Sequence, residues 1–239
     1  GESTINSRPK YGSLNIFNYL DGASARFGSC FLTLKPHMLE RCTFAYGDSS
    51  TNPDALGVKG AFHTVFRAIL RDVEKTGRLL NKDGFTVTKT IDHILAMKKG
   101  ELAQIGRNLD DCVETHVHGD ISLKDDAGRF YIDESFRGTL IHGLAERLAK
   151  EYDIDIFWIP ERKVPAADIT DEFRGPAVPV LAKRAAEKFA APPGYINAAV
   201  IGAASRHSVE RPEEWADLGS EAEVFQYFKQ LWHTAAYFG

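Results

Sequence analysis

The most informative hydrophobic and polar pattern in the chain runs over residues 113–121. Apolar or β-branched side chains alternate there with ionisable ones, which are Glu114, His116, His118 and Asp120. Because successive side chains of a strand point to opposite faces, this alternation predicts a β-strand with four titratable groups on one face. A surface strand usually presents Lys, Thr or Glu instead. We therefore expect this face to form the floor of a cleft.

Patterns elsewhere predict further strands and several helices. Strands are expected at residues 27–34, 42–46 and 154–159, and residues 130–132 are expected to form a hairpin with the strand of residues 113–121. Apolar residues at helical spacing predict helices over residues 56–77, 91–97, 140–152, 178–189 and 195–204, and after a capping box at residues 220–223. These elements predict an α+β fold with a mixed or mainly antiparallel sheet and flanking helices.

The domain organisation is expected to be simple. Residues 1–10 are polar and predict a flexible leader, while residues 11–239 predict a single α+β domain. Residues 163–169 are the only candidate for a weak boundary. Within the domain, residues 47–50 predict a turn that caps its own backbone, although its polar end could serve a ligand. His63 lies on or beside an apolar helix stripe, which favours a packed core histidine.

Composition excludes some classes of protein. The 29 basic and 33 acidic residues give a net charge of −4, which is too acidic for a protein that mainly binds nucleic-acid backbone. No apolar run reaches the ~18 residues of a membrane span, and no secretory signal begins the chain. The three cysteines, Cys30, Cys42 and Cys112, predict buried, reduced thiols. A cytoplasmic protein is expected, and an effector secreted without a leader would have the same sequence features.

A short motif occurs twice before predicted helices. Phe136-Arg137-Gly138 and Phe173-Arg174-Gly175 lie 37 positions apart, and several helix residues repeat at the same offset. An arginine beside the free N–H groups of a helix start can hold phosphate or carboxylate. The alternative is that each arginine pairs with the acidic residue two or three positions before it.

Three interpretations of the central strand are open. His116 and His118 could bind a divalent metal with Asp120, since histidines two apart on a strand can reach one ion. The resulting hydrolase could not use the (β/α)₈ barrel in which such a motif often occurs, because too little chain follows His118. Alternatively, Glu114 could act in acid/base or electrostatic catalysis with His118 polarised beside it. In the third interpretation, the row is a solvated face that pairs with Lys and Arg of a neighbouring strand.

The order of several blocks resembles an uncharacterised bacterial domain family. The blocks include Val117-His118-Gly119-Asp120-Ile121 and cover residues 8–15, 27–31, 43–49, 117–121, 135–139 and 173–176. Members of that family look like distant ADP-ribosyltransferases. The family pattern also has an upstream segment that this chain lacks, which predicts a truncated or processed form. In that pattern His118 is more regular than His116, so the two-histidine metal site is the weaker expectation.

The resemblance implies an activity and a set of site residues. It implies an NAD-dependent ADP-ribosyltransferase-like enzyme, effector or toxin fragment that acts on an unidentified macromolecule. Glu114 would be the catalytic residue with His118 beside it, while the cofactor-side contacts would be Tyr11, Ser29, Arg137 and Arg174. The alternatives are a metal-dependent hydrolase that uses His116, His118 and Asp120, and a non-catalytic domain whose Phe-Arg-Gly turns bind an anionic partner.

Overall fold

The computed structural model describes residues 8–51, 53–99, 104–107 and 109–239. Contacts divide the chain into two compact units. The first unit holds the described residues within Gly1–Ser24, Leu32–Phe130 and Ala149–Asp155, and the second unit holds Ala25–Phe31, Tyr131–Leu148 and Ile156–Gly239. Residues 163–169 lie inside the second unit, so the division does not fall there. Each unit is assembled from several separate segments of the chain, so the division does not decide whether the chain is one domain or two. The single domain stays a prediction.

Seven α-helices occur in the described residues. They are α1 His63–Thr76, α2 Val87–Lys98, α3 Leu123–Asp126, α4 Leu140–Tyr152, α5 Ala177–Phe189, α6 Ala198–Glu210 and α7 Glu221–Phe238. The predicted helix over residues 140–152 has these bounds in the structure. The predicted capping box is also present, because Ser220 and Glu223 bond each other's backbone N–H groups at the start of α7. None of the described helices combines the length and the apolar content that crossing a bilayer requires.

The strands of the described residues are short. They are β1 Lys10–Leu14, β2 Phe31–Leu34, β3 Cys42–Ala45, β4 Leu56–Val58, β5 Arg78–Leu79, β6 Lys82–Asp83, β7 Val113–Val117, β8 Ala127–Asp133, β9 Asp155–Ile159, β10 Val164–Pro165 and β11 Tyr195–Ile196. Sheets that are mainly antiparallel, with helices beside them, confirm the predicted α+β class. Lys10 belongs to β1 and not to a leader, and residues 1–7 of the predicted leader lie outside the described part of the chain.

The first unit is built on an antiparallel sheet in the order β1-β7-β3-β4. One face of this sheet packs on α1, whose Val65, Ile69 and Val73 recur every four residues and are buried. Phe44, Val113 and Val117 lie in the same hydrophobic cluster. Burial of these side chains stabilises the unit and leaves the other face of β7 free to carry polar groups.

The second unit contains three helices that contact one another, namely α5, α6 and α7. Small buried residues on these helices let their backbones approach closely; they are Ala182, Ala185, Ala186, Ala204 and Ala235. Larger buried side chains, among them Leu181 and Leu231, fill the space between the small ones.

The helix predicted over residues 56–77 begins later in the structure. Residues 56–58 form edge strand β4, and the helix begins only at His63. Gly57 and Gly60 explain the late start, since glycine disfavours a helix, and a Cβ at Gly57 would lie 2.9 Å from the Ala61 carbonyl oxygen. His63 is consequently exposed at the start of α1 and is not a core residue.

Residues 130–132 lie in β8, and β8 joins a sheet in the order β2-β8-β9. The predicted hairpin with β7 is therefore wrong, because β1 and β3 already occupy both edges of β7. All three cysteines are free thiols, and Cys42 is buried. Cys30, in contrast, is exposed in the loop before β2, so the prediction of burial fails there.

Candidate functional site on the open face of β7

The register of the first unit's sheet places two rows of side chains on one face. Residues directly opposite each other share a face, and the first row is Tyr11, His116, Thr43 and Val58. The second row is Ser13, Glu114, Ala45 and Leu56. On the opposite face Val113, Thr115 and Val117 are buried, which confirms the predicted alternation over the five residues of β7.

Glu114 is held at both of its carboxylate oxygens. The backbone N–H of Ser49 donates to Oε2 at 3.2 Å, and Nε2 of His116 lies 2.6 Å from Oε1. Burial alone would raise the pKa of the Glu114 carboxyl, but hydrogen bonds from Ser49 and His116 outweigh burial and hold that pKa below its usual range. Since the side chain keeps 22% of its exposure, an ionised carboxylate faces solvent.

His116 contacts both Glu114 and Tyr11. A carboxylate only accepts hydrogen bonds, so Nε2 of His116 carries the proton that points at Glu114. The ring of Tyr11 meets the imidazole edge-on, with centroids 4.9 Å apart. The structure therefore pairs Glu114 with His116, whereas the sequence had favoured His118 as the partner of Glu114.

His118 lies just beyond the end of β7 and makes a different contact. Its Nε2 lies 2.8 Å from Oγ1 of Thr43, and either atom can be the donor. The backbone of His118 is fixed to the last residue before β3, since its N–H donates to the Arg41 carbonyl at 2.9 Å. His118 and Thr43 thus form a hydroxyl–imidazole pair beside Glu114 and His116.

Two cations hold the loop that carries His118. Arg41 donates from Nε to the carbonyl of His118 at 2.9 Å and from another guanidinium nitrogen to the carbonyl of Asp120. Lys10 donates to the intervening carbonyl of Gly119 at 2.8 Å. Gly119 has a φ of +77°, and a Cβ there would lie 2.8 Å from the Arg41 guanidinium. The loop conformation therefore requires glycine, and the strand predicted over residues 113–121 ends at Val117.

The alternative metal ligands are engaged separately. His116 contacts Glu114, His118 contacts Thr43, and Asp120, with 79% of its side chain exposed, pairs with Lys10 at 3.5 Å. Among the described residues no three His, Cys, Asp or Glu side chains are placed to hold one metal ion. The geometry thus favours the glutamate interpretation over the His-x-His-x-Asp interpretation.

The other predicted contacts belong to the second unit. The guanidinium of Arg137 lies 4.0 Å from the ring centroid of Trp158 and 3.6 Å from Glu134, so pairing with the preceding acid is confirmed there. Arg174 instead lies over the ring of Phe173, and in the described part of the chain its buried Nε has no hydrogen-bond partner. Ser29 contacts Cys30 at 3.7 Å. No contact brings Ser29, Arg137 and Arg174 together among the residues described.

Sequence reasoning missed Arg41, Thr43 and the Ser49 N–H as parts of the site. The turn of residues 47–50 does cap itself, because Ser50 donates to the Asp48 carboxylate at 2.8 Å, and it also contributes the Ser49 N–H to Glu114. Thr43 lies in a correctly predicted strand. Its partner could be found only from the pairing of β3 with β7, which the alternation does not specify.

Comparison with known proteins gives a family without an assigned activity. No curated protein matches the chain. The model of a family described as "Protein of unknown function (DUF3626)" matches residues 2–238, which is nearly the whole chain. The expected membership of an uncharacterised domain family is confirmed, and the chain belongs to the DUF3626 family.

Proposed function

We propose that the first unit carries an NAD-dependent, ADP-ribosyltransferase-like site in which Glu114 is the catalytic residue. One observation carries the proposal: the Glu114 carboxylate is ionised, held at both oxygens and partly exposed on the open face of a central strand. Cleavage of the bond between nicotinamide and ribose develops positive charge on the ribose ring. A fixed carboxylate stabilises such a centre, as it does in glycoside cleavage.

The neighbours of Glu114 suit this role. A carboxylate whose position is already fixed by Ser49 and His116 needs little reorganisation when charge develops near it. The depressed pKa keeps Glu114 ionised at neutral pH, which the charge stabilisation requires. Tyr11, with 73% of its surface exposed next to His116, offers an aromatic ring on which a planar nicotinamide can stack.

In this proposal His118 is the candidate base for the group that receives ADP-ribose. Its imidazole already contacts a hydroxyl, that of Thr43. Ser29, Arg137 and Arg174, which the family resemblance implies as cofactor-side contacts, lie in the second unit and are not part of this proposal. The site proper consists of Tyr11, Glu114 and His118 with the support of His116.

The proposal is tested by measuring NAD binding and nicotinamide release in parallel. Glu114→Gln should bind NAD in calorimetric titration, because the amide keeps the size of the carboxylate. Nicotinamide release should fall about 100- to 1000-fold, the usual effect of removing one preorganised electrostatic group. Glu74→Gln, the same chemical change at an exposed position of α1, is the matched control and should release nicotinamide like the wild type.

Two results would overturn the proposal. The first is the absence of NAD binding to the wild-type chain at millimolar NAD. The second is nicotinamide release by Glu114→Gln at the rate of the Glu74→Gln control. Dialysis against a chelator, followed by elemental analysis, tests the metal alternative in the same samples. Release that disappears with the metal and returns with it would favour the His116, His118 and Asp120 site instead.

A further inference from the structure

Thr43 and His118 form a pair that the cleavage of NAD does not require. The Thr43 Oγ1 lies 2.8 Å from His118 Nε2, and the pair lies on the partly exposed face that also carries Glu114. A hydroxyl in hydrogen-bond contact with an imidazole is the arrangement that activates serine and threonine as nucleophiles. In the tautomer that carries its proton on Nδ1, the His118 ring accepts the Thr43 hydroxyl proton at Nε2.

The position of Thr43 relative to Glu114 follows from the strand register. Thr43 is directly opposite His116, and Glu114 lies two residues further along the same face of β7. Such diagonal neighbours have Cα atoms about 7–8 Å apart, so one sugar ring lying above this face could contact both side chains. The hydroxyl therefore borders the place where Glu114 would hold the ribose.

The backbone that carries the His118 imidazole is also held in place. The backbone N–H of His118 donates to the Arg41 carbonyl, and the Arg41 guanidinium donates to the His118 carbonyl. Both polar groups of the His118 backbone are therefore fixed. Lys10 fixes the next carbonyl, that of Gly119. A preorganised base, a hydroxyl in contact with it and an anchored carboxylate thus share one face.

We propose that Thr43 is a self-modification site, whose hydroxyl receives ADP-ribose from NAD bound at Glu114. This inference rests on the proposed function. The Thr43 oxygen forms a bond to the ribose carbon as the bond from that carbon to nicotinamide breaks. The electron pair of the broken bond leaves with the nicotinamide nitrogen, and the hydroxyl proton passes to His118 Nε2. NAD is the only co-reactant.

The product would limit the activity of its own site. An ADP-ribosyl group on Thr43 would lie across the row of Tyr11 and His116 and occupy the face on which the next NAD must bind. Nicotinamide release by wild-type protein should accordingly slow with time as the modified fraction rises. Self-modification would thus transfer ADP-ribose to the protein itself and would also reduce the rate at which the site cleaves NAD.

The test is peptide mapping by mass spectrometry of the full chain after incubation with NAD, with nicotinamide release measured in the same tubes. We expect one ADP-ribosyl group on Thr43. Thr43→Ser, which keeps the hydroxyl, should retain the adduct, whereas the isosteric Thr43→Val should lose it. Glu114→Gln incubated with NAD, and wild type incubated with free ADP-ribose, should show no adduct at this position.

The outcomes separate the two proposals. Nicotinamide release by wild type without an adduct on Thr43 overturns the self-modification and leaves the proposed function standing. An equal adduct yield from Thr43→Val also overturns it, because the acceptor would then be another residue. Absence of nicotinamide release from wild type overturns both proposals.

Discussion

The face of β7 and the two Phe-Arg-Gly turns were the two polar features that the sequence singled out, and they differ in how their side chains find partners. On β7, polar groups satisfy one another across and along strands, as Glu114 does with His116 and Thr43 with His118. In the turns, Arg137 and Arg174 each lie on a separate aromatic ring. Pairing of strands brings residues that are distant in the sequence into one site. A short motif that occurs twice repeats the local turn, but it does not by itself place its two arginines in one site.

The largest effect on stability is expected from alanine substitution of two turn glycines. Gly119 and Gly138 have nearly equal φ angles of +77° and +75°, but only Gly119 would bring a Cβ against Arg41. Gly138→Ala should lower the free energy of unfolding by about 1–2 kcal/mol through backbone strain alone. Gly119→Ala should lower it by about 2–4 kcal/mol, because Arg41 must also release carbonyl hydrogen bonds.

Unfolding followed by tryptophan fluorescence and by circular dichroism can separate the two units. All three tryptophans, Trp158, Trp215 and Trp232, belong to the second unit, so tryptophan fluorescence follows that unit and circular dichroism follows both. Equal losses for the two alanine variants would show that the Arg41 contacts do not stabilise the loop. The two loops would then differ in stability only through the backbone conformation of their glycines.

The next largest effect concerns the contact of His116 with Glu114. His116→Gln places an amide N–H near the position of Nε2, whereas the shorter His116→Asn leaves Glu114 without that donor. We expect Asn to slow nicotinamide release about 10- to 100-fold and Gln to recover most of it, with the main change in kcat. A positioning role fails if Gln and Asn are equally slow while both variants bind NAD like the wild type.

A smaller effect is expected in the dependence of stability on pH, and it has opposite signs in the two units. The pKa of Glu114 is lowered, so its contribution is present above the unfolded value of about 4.3 and is lost as pH falls through the folded pKa. Burial raises the pKa of Asp133 despite hydrogen bonds from Ser135 and Arg162. The contribution of Asp133 is present below about 3.9 and is lost as pH rises through its folded pKa.

Urea unfolding between pH 3 and pH 6 checks these signs. The difference in unfolding free energy between wild type and Glu114→Gln should grow with pH. The difference between wild type and Asp133→Asn should shrink over the same interval. Parallel trends for the two variants would contradict the opposite environments that the structure assigns to these carboxyl groups.

The smallest effect is expected in the Phe-Arg-Gly turns. Arg137→Met should cost about 1 kcal/mol or less, because it removes an exposed ion pair with Glu134 and the stacking on Trp158. Arg174→Met should stay within about 0.5 kcal/mol of wild type, since loss of the Phe173 contact is offset by removal of the unpartnered Nε. Thermal unfolding of both variants checks the difference, and equal costs would make the two turns equivalent.

The sequence predicted which side of β7 is polar but not what surrounds it. Alternation depends only on the two-residue period of a strand, so Glu114 and His116 could be placed on one face. The flanking strands β1 and β3 lie roughly 100 and 70 positions away in the chain, and no local pattern identifies them. Thr43 and Ser49 were missed for that reason, and residues 130–132 were paired with the wrong strand.

Helices with complete local signals were predicted well, as the capping box of Ser220 and Glu223 shows. The start of α1 was misplaced because Leu56 and Val58 fit both a helical stripe and a strand, and only pairing with β3 decides between them. His118 and Asp120 were assigned to a strand by alternation. The positive φ of Gly119 ends that regularity, and a pattern of apolar residues does not report it.

The contact between Gly119 and Arg41 has a consequence for other members of the DUF3626 family. Because a side chain at position 119 and the guanidinium at position 41 would occupy the same space, the two positions should change together among relatives. A relative that replaces the glycine should also have a shorter residue in place of the arginine, and its loop carbonyls should then bond to water. An alignment of the family can thus record the shape of this loop without any structure.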